Sequence, residues 1–297
     1  MSAPDTAATR FLESEVPALA PEDARFHVLP VPYEKTVSYG GGTSKGPAAI
    51  IAASSQLERW DGASDPGADG IYTWPAIDCS RPAAQVIDAI AAAVAQILAL
   101  GKTPVVLGGE HTVTGGVIRG YLDAGVRDFG VVQIDAHADL RDAYEGDPLS
   151  HASVMRRVVE AGVPLVQLGN RAYCEEERDA RKQYKVHAID ADQLVPQAVH
   201  SIPLPANFPP QVFFTLDVDG LDPSVLPATG TPVPGGLGWY QTLGLFESVA
   251  RQRRIIGFDI LEFAPIAGFH AYDFAAALLA YKLMGIVQRT AGPRPPQ

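Results

Sequence analysis

The sequence predicts an α/β protein built around a mostly parallel β-sheet with helices on both faces. Apolar runs alternate with helical segments, and these runs are continuous, as in sheets that are buried on both sides. Three of the runs end in Asp or His, at the carboxyl edge where open α/β sheets build their sites. The 297 residues show no internal repeat or break in composition. We therefore predict one domain at residues 25–292 after a loose N-terminal arm at residues 1–24.

Seven apolar runs have the length and composition of strands. They cover residues 26–32, 104–107, 130–134, 165–168, 186–189, 212–216 and 255–261. Segments with helical character cover residues 47–60, 83–100, 112–124, 150–161, 175–183, 239–251 and 274–287. Pro47 suits the first turn of a helix, and Gly101 suits a helix end. The Pro-rich tail at residues 293–297 is expected to be frayed.

Composition and charge argue against several classes of partner. Hydrophobic residues make up 47% of the chain and charged residues 19%, which is enough for a large buried core. The net charge of −11 argues against nucleic acid and anionic membrane surfaces as partners. Cys79 and Cys174 form no CxxC motif, and no signal-peptide core or run of roughly 18 apolar residues is present. We therefore predict a cytoplasmic protein.

The strand at residues 130–134 ends in an Asp-x-His-x-Asp motif, formed by Asp135, His137 and Asp139. Side chains of an extended backbone repeat every two residues, so these three groups are expected to share one side. Two carboxylates and an imidazole on one side can hold a divalent metal. The alternative is a polar, Asp-rich loop after a strand.

Two further strand ends add ligands of the same kind. His111 follows the strand at 104–107, and Asp217 and Asp219 alternate after the strand at 212–216. With the first motif this makes four carboxylates and two imidazoles, a charge that balances two divalent cations. Such a ligand set favours Mn²⁺ over thiolate-preferring ions, with Ni²⁺ and Co²⁺ left open. Paired metals, roughly 3.5–4 Å apart, lower the pKa of a bridging water.

Three motifs resemble the signatures of the ureohydrolase (arginase/agmatinase) family. They are Gly-Gly-Glu-His at 108–111, Asp-Ala-His-Ala-Asp at 135–139 and Asp-Val-Asp-Gly-Leu-Asp-Pro at 217–223. The resemblance implies a three-layer α/β/α sandwich around an eight-stranded parallel sheet, assembled as a homotrimer or homohexamer. It also implies two Mn²⁺ ions per subunit, bridged by a hydroxide that attacks a guanidinium carbon and releases urea.

The resemblance also assigns ligands to each metal, with Asp135 and Asp217 shared. The ligands of one metal are His111, Asp135, Asp139 and Asp217. The ligands of the other are His137, Asp135, Asp217 and Asp219.

Two further residues match family positions that act on the substrate. Glu262 resembles the glutamate that pairs with the guanidinium, a planar fork of donors that suits a carboxylate. His151 resembles the histidine that returns a proton to the leaving amine. We therefore predict Glu262, His151 and the ligand Asp139 as catalytic, and Glu262 and His151 also as substrate-binding. The alternatives are a solvated strand-end charge and a helix-start histidine.

The chain departs from the family pattern at two places. Glu110 and Thr112 flank His111 where the family often has Asp and Ser, which are chemically similar. After Glu262 the chain reads Phe-Ala-Pro where the family often has Val-Asn-Pro. The second change removes an amide near the substrate, so it bears on substrate identity more than on the metals.

The loop at residues 139–147 is acidic and resembles that of agmatinases. We expect Glu145 or Asp147 to face the distal ammonium of agmatine, a small cationic guanidino substrate, which would give putrescine and urea. Solvent-facing loop charges are the alternative. A substrate that carries a carboxylate should be repelled unless Arg141 turns inward.

Other functions stay open from the sequence. The substrate of such an enzyme could be guanidinobutyrate, arginine or formimidoylglutamate. A two-metal phosphoesterase is disfavoured by Glu262 and by the lack of a basic phosphate clamp. A non-catalytic family member that serves as a binding subunit should lack a ligand, and all six are present.

Overall fold

A computed structural model describes residues 9–291 and contains an eight-stranded sheet in the order β2-β1-β3-β8-β7-β4-β5-β6. The strands are β1 (Phe26–Val31), β2 (Ile71–Thr73), β3 (Thr103–Gly108), β4 (Phe129–Ile134), β5 (Leu165–Leu168), β6 (His187–Ile189), β7 (Gln211–Asp217) and β8 (Arg254–Leu261). Every pair of neighbouring strands is parallel.

Helices cover the sheet on both faces. They are α1 (Gly46–Ser54), α2 (Ala83–Ala99), α3 (Val113–Asp123), α4 (Val154–Glu160), α5 (Glu175–Gln183), α6 (Ala191–Leu194), α7 (Trp239–Gln252) and α8 (His270–Thr290). Side chains of alternate strand residues belong to two separate hydrophobic cores, one on each face of the sheet. On β3, Val105 belongs to the core with α1, α7 and α8, and Val106 belongs to the core with α2, α3 and α4. The predicted three-layer α/β/α sandwich is confirmed.

Several element boundaries differ from the sequence prediction. The strand β2 and the one-turn helix α6 were not predicted, because each is too short for periodicity to reveal. The first helix ends at Ser54 instead of residue 60. At this end the Ser54 hydroxyl donates to the carbonyl of Ile51 in the same helix. The last helix begins at His270, four residues before the predicted start.

The predicted loose N-terminal arm is corrected for the part that the structure describes. Phe11 and Leu12 are buried, at 1% and 0% exposure. The Phe11 amide donates to Thr73 Oγ1 on β2, and the Leu12 amide donates to Ser54 Oγ at the end of α1. Apolar side chains at these positions outweigh the small, polar character of the first residues. Residues 1–8 and the predicted tail at 293–297 lie outside the described residues.

The strand order determines where the site forms. The four adjacent strands β3, β8, β7 and β4 lead to His111, Glu262, the Asp217–Asp219 pair and the Asp135–Asp139 motif. Since all strands are parallel, these groups meet at the same edge of the sheet.

Within residues 9–291, no helix has the length and apolar character that a membrane span requires.

Candidate metal centre

The imidazole of His111 lies among three carboxylates at the carboxyl edge of the sheet. Its Nδ1 atom is 2.9 Å from Asp139 Oδ2, 3.0 Å from Asp135 Oδ2 and 3.5 Å from Asp217 Oδ2. All four side chains are almost fully buried. This half of the cluster is therefore shielded from solvent.

The second imidazole, His137, completes the other half of the cluster. Its Nδ1 atom is 3.0 Å from Asp219 Oδ2 and 3.6 Å from Asp135 Oδ1. The two oxygens of Asp135 therefore face different histidines, as a bridging ligand requires. Asp217 differs, because its Oδ1 accepts from the Asp219 amide while Oδ2 faces His111. The His137 side chain is 30% exposed, so this half opens toward solvent.

The donor atoms fit divalent metal ions. Ligand atoms of His111, Asp135 and Asp217 lie within 4.8 Å of one another, as do those of Asp135, His137 and Asp219. The buried Nδ1 of His111 makes no hydrogen bond of good geometry, although carboxylate oxygens surround it. A buried nitrogen without a hydrogen bond is costly unless another group uses its lone pair. A cation among these oxygens would use it.

The pKa values of these groups in the metal-free protein show how strongly they interact. Burial disfavours a charged His137, but Asp135 and Asp219 outweigh it and raise the pKa of His137 to about 12. The pKa of His111 is raised in the same way by Asp135 and Asp139. Burial, together with the Asp135 charge, raises the pKa of Asp139 to about 7. Bound protons therefore balance the carboxylate charge in place of metal cations, and a bound metal would displace these protons.

Two of the site residues have an uncommon backbone conformation. Asp139 has φ of 52° and Glu262 has φ of 60°, in the left-handed region that side chains with a Cβ rarely adopt. Strain of this kind concentrates at functional sites, where the surrounding structure holds it in place. The Glu262 amide donates to the Gly109 carbonyl, which ties the end of β8 to the end of β3.

A row of polar side chains lies beneath the metal centre and was not predicted. In the register of the sheet, Gln167 on β5 pairs with Gln133 on β4, Gln133 with Thr215 on β7, and Thr215 with Asp259 on β8. All four are fully buried. The available signal was a single polar residue that interrupts each of four apolar strands near its carboxyl end.

This polar row orients the candidate ligands. Gln133 Nε2 donates to Asp135 Oδ2 over 2.6 Å, and Thr215 Oγ1 lies 2.9 Å from His111 Nε2. The contact with Thr215 leaves the Nδ1 atom of His111 to face the carboxylates. Burial raises the pKa of Asp259, at the end of the row, to about 6. Outer partners of this kind fix the orientation of metal ligands in general.

Glu262 lies beside the metal cluster as predicted for the guanidinium partner. Its Oε1 atom accepts from the His111 amide over 2.7 Å, and its side chain forms part of the cavity wall. Burial raises its pKa well above the usual range, since the hydrogen bond from His111 opposes the effect without cancelling it. A cation in the cavity would favour the ionised form of Glu262.

His151 contributes to the wall of the same cavity. Its ring meets Tyr144 edge to face at 5.7 Å, and its Nδ1 atom is 3.1 Å from Thr36 Oγ1. Burial lowers its pKa below the usual 6.5, so the ring is neutral near pH 7. A neutral imidazole is able to accept a proton.

The cavity has a volume of about 390 Å³, and each half of the cluster contributes ligands to its wall, among them Asp139 and Asp217. Its wall includes His137, Asp219, His151, Glu262, Arg141 and Tyr144. Glu145 and Asp147 do not contribute to this wall. Glu145 is exposed, and Asp147 Oδ1 accepts from the Leu149 amide within its own turn. The expectation that one of them faces the distal ammonium of agmatine stays a prediction.

The fold and this ligand set are those of a metal-dependent hydrolase. A model of the Arginase family matches residues 24–285. The chain therefore belongs to the arginase family, and the resemblance noted from its motifs is confirmed.

Two relatives and one solved structure describe its place in that family. The chain is 41% identical to the N(1)-aminopropylagmatine ureohydrolase of Synechocystis sp., over 93% of both chains. It is 30% identical to the agmatinase of Pyrococcus horikoshii, over 94% of this chain and 98% of the relative. The crystal structure of the agmatine ureohydrolase of Thermoplasma volcanium matches with a TM-score of 0.82, at 28% identity and 94% coverage of both chains. The chain is thus an arginase-family ureohydrolase.

Proposed function

We propose that the protein hydrolyses the guanidinium group of an agmatine-type polyamine to urea and an amine, using two Mn²⁺ ions per subunit. Agmatine itself would give putrescine. The relative with 41% identity is named for N(1)-aminopropylagmatine and the relative with 30% identity for agmatine. That difference supports the aminopropyl derivative as the preferred substrate within this class.

The observation that carries the proposal is the position of Glu262. Its carboxylate is 8% exposed and lies on the cavity wall beside the metal cluster. A guanidinium ion presents parallel N–H donors to such a group. The substrate carbon would then lie between Glu262 and the ligands of the metals, where a nucleophile has to attack.

The reaction balances with water as the co-substrate. A C–O bond to the water oxygen forms and the C–N bond to the substrate amine breaks, which gives urea. Both water protons leave with the amine as an ammonium group. Two divalent cations would be held by the six ligands and would lower the pKa of a bound water, so that a nucleophile would be available near neutral pH. His151, neutral at that pH, would accept a proton released by the attacking water and pass it to the departing amine nitrogen.

A panel of guanidino compounds tests this proposal. Urea release should be measured with metal-loaded protein and agmatine, N(1)-aminopropylagmatine, arginine, guanidinobutyrate and formimidoylglutamate. We expect the two polyamines to have the highest kcat/KM, with two Mn²⁺ bound per subunit. Preference for guanidinobutyrate over agmatine would contradict the proposed substrate class.

One observation favours a second candidate, a guanidino acid such as guanidinobutyrate. Arg141 contributes to the cavity wall, and its guanidinium stacks on Tyr144 at 5.3 Å. Within residues 9–291 it forms no ion pair, so it is available to a carboxylate. If it serves that purpose, Arg141→Met should raise KM for guanidinobutyrate and leave KM for agmatine unchanged or lower.

A further inference from the structure

A short chain of hydrogen bonds links His151 to a buried carboxylate that the proposed function does not use. Thr36 Oγ1 lies 3.1 Å from His151 Nδ1 and 2.6 Å from Glu110 Oε1. The backbone amide of His151 also donates to Thr36 Oγ1, over 3.0 Å. Thr36 therefore contacts the histidine at two points and the carboxylate at one.

The direction of these hydrogen bonds follows from the number of protons available. Glu110 is fully buried and accepts from two backbone amides and two hydroxyls. These donors are Lys35 N, Thr36 N, Thr36 Oγ1 and Thr112 Oγ1. Four donors suit an ionised carboxylate, which only accepts. The single hydroxyl proton of Thr36 is thus given to Glu110.

Because the Thr36 hydroxyl donates its proton to Glu110, its oxygen can only accept hydrogen bonds from His151. One accepts from the His151 backbone amide, so the other has to accept from the ring. Nδ1 must then carry the hydrogen. Ser150 Oγ, at 3.3 Å from Nδ1, is the other polar contact of this atom and the longer of the two.

We propose that Thr36 and Glu110 are positioning residues that hold His151 as the Nδ1–H tautomer and leave its Nε2 nitrogen free to accept a proton. Within residues 9–291, no hydrogen bond reaches Nε2, while the ring contributes to the cavity wall. The part of this inference that concerns proton transfer rests on the proposed function, whereas the tautomer does not.

Loss of the Thr36 hydroxyl would remove the acceptor for Nδ1–H. Ser150 would then be the remaining polar contact and is able to donate to an unprotonated Nδ1. The ring proton would move to Nε2, and the nitrogen that faces the cavity would lose its lone pair. A misplaced proton of this kind removes general acid–base catalysis, which contributes about 10²–10⁴-fold in rate.

The tautomer is measured directly by NMR on protein with ¹⁵N-labelled histidine, loaded with a diamagnetic divalent ion. Assignment of His151 uses a His151→Asn variant, whose spectrum lacks its signals. We expect the Nδ1–H form in the wild type and a shift toward Nε2–H in Thr36→Val. Thr112→Val removes a different donor to Glu110 without touching His151, so it should keep the Nδ1–H form.

Kinetics supply the second readout. We expect Thr36→Val to lower kcat by about 10²–10⁴-fold with KM within about twofold, because the guanidinium and its partners are untouched. Thr36→Ser keeps the hydroxyl and should restore most of kcat. Metal content and Tm of each variant separate this effect from unfolding or metal loss.

Each outcome counts for or against the inference. A wild-type His151 that is mainly Nε2–H would overturn it, whether or not the protein releases urea. An unchanged kcat in Thr36→Val, or equal losses in Thr36→Val and Thr36→Ser, would also overturn it. If no guanidino compound is hydrolysed while the Nδ1–H tautomer depends on Thr36, the proposed function fails and the assignment of the positioning residues stands.

Discussion

At the scale of single residues, Asp135 connects the two halves of the candidate metal centre. Its oxygens lie 3.0 Å from His111 Nδ1 and 3.6 Å from His137 Nδ1. Asp135→Asn keeps the shape and removes the charge, so we expect bound metal to fall below one ion per subunit by elemental analysis. Asp222→Asn is the matched control, because Asp222 accepts from the Gly235 and Gly236 amides in a turn outside the cluster. Equal metal content in both variants would contradict a bridging role for Asp135.

The protons held by the metal-free cluster predict a pH dependence. The pKa of His137 is raised from 6.5 to about 12, so its stabilisation is complete below pH 6.5 and is lost toward pH 12. The pKa of Asp139 is about 7 in the folded protein and 3.8 as its ordinary value, so the folded state binds the proton more tightly and stability also falls as the pH rises from 3.8 to about 7. The metal-free protein thus weakens with increasing pH, while a metal competes with fewer protons.

We therefore expect the increase in Tm caused by Mn²⁺ to be small at about pH 6 and larger at about pH 8.5, since apparent affinity rises up to about tenfold per pH unit for each proton displaced. Thermal unfolding at fixed Mn²⁺ concentration measures this difference. A Tm increase that is independent of pH would mean that the metal displaces no protons from His137 or Asp139.

The residues predicted from the sequence are those whose chemistry is visible in a local motif. The six ligands and Glu262 follow strand ends, and His151 stands in the segment after the Asp-x-His-x-Asp motif. The structure brings His137, Asp139, Asp217, Asp219, His151 and Glu262 to one cavity, and His111 and Asp135 contact these ligands from the buried side. Thr36 has no local signature, because its partners belong to other segments. Asp259 is visible in the sequence only as one polar residue within an apolar strand, and its partner Thr114 belongs to another segment. The role of Thr215 and Gln133 as neighbours in the buried polar row follows from the register between β4 and β7.

At the scale of elements, the close contact between the ends of β1 and β3 positions His111. Gly109 approaches Tyr33 so closely that an added Cβ would lie 2.0 Å from the Tyr33 carbonyl oxygen. Gly109→Ala must push the loop with Glu110 and His111 away from Tyr33. We expect a loss of about 3 kcal/mol or more in the free energy of unfolding and weaker metal binding, measured by denaturant titration and calorimetry.

Gly115→Ala is the matched control for this prediction. A Cβ at Gly115, on α3, would meet only Val154 Cγ2 at an ordinary 3.5 Å. Alanine is the better helix former, so this variant should be neutral or more stable by about 0.5–1 kcal/mol. Similar destabilisation by both substitutions would show that the contact with Tyr33 is not the cause.

Most elements were predicted, including the short strands β5 and β6, whereas β2 and α6 were not. The predicted ranges of β5 and α5 match the structure to the residue. The edge strand β2 has three residues and follows Gly70, so no periodic pattern separates it from a loop. It joins the sheet through its pairing with β1, a long-range contact that a single sequence does not reveal.

At the scale of the whole molecule, apolar side chains remain exposed between β8 and α8. Ile266, Phe269 and Phe274 are 40%, 59% and 39% exposed, and Phe269 stacks on Tyr272. Exposed apolar patches often mark contact surfaces. We propose that a second copy of the chain covers this patch in the homotrimer or homohexamer that the sequence resemblance implies.

Sedimentation velocity tests this assembly. Phe269→Ser should shift the protein toward the monomer, because it removes the most exposed apolar side chain of the patch. Tyr240→Ser changes an aromatic residue that is 77% exposed elsewhere, on α7, and should leave the assembly unchanged. A wild-type monomer at micromolar concentration would contradict the proposal.

The position of β8 has a consequence for how the sheet is assembled during protein synthesis. β8 lies between β3 and β7, although it follows both in the chain. Until residues 254–261 leave the ribosome, His111 and Asp217 belong to two half-sheets that lack the strand between them. The two halves of the metal centre therefore differ in when their parts are made. The ends of β4 and β7, which carry Asp135, His137, Asp217 and Asp219, are neighbours without β8, whereas His111 is joined to them in one sheet only after β8 has been made.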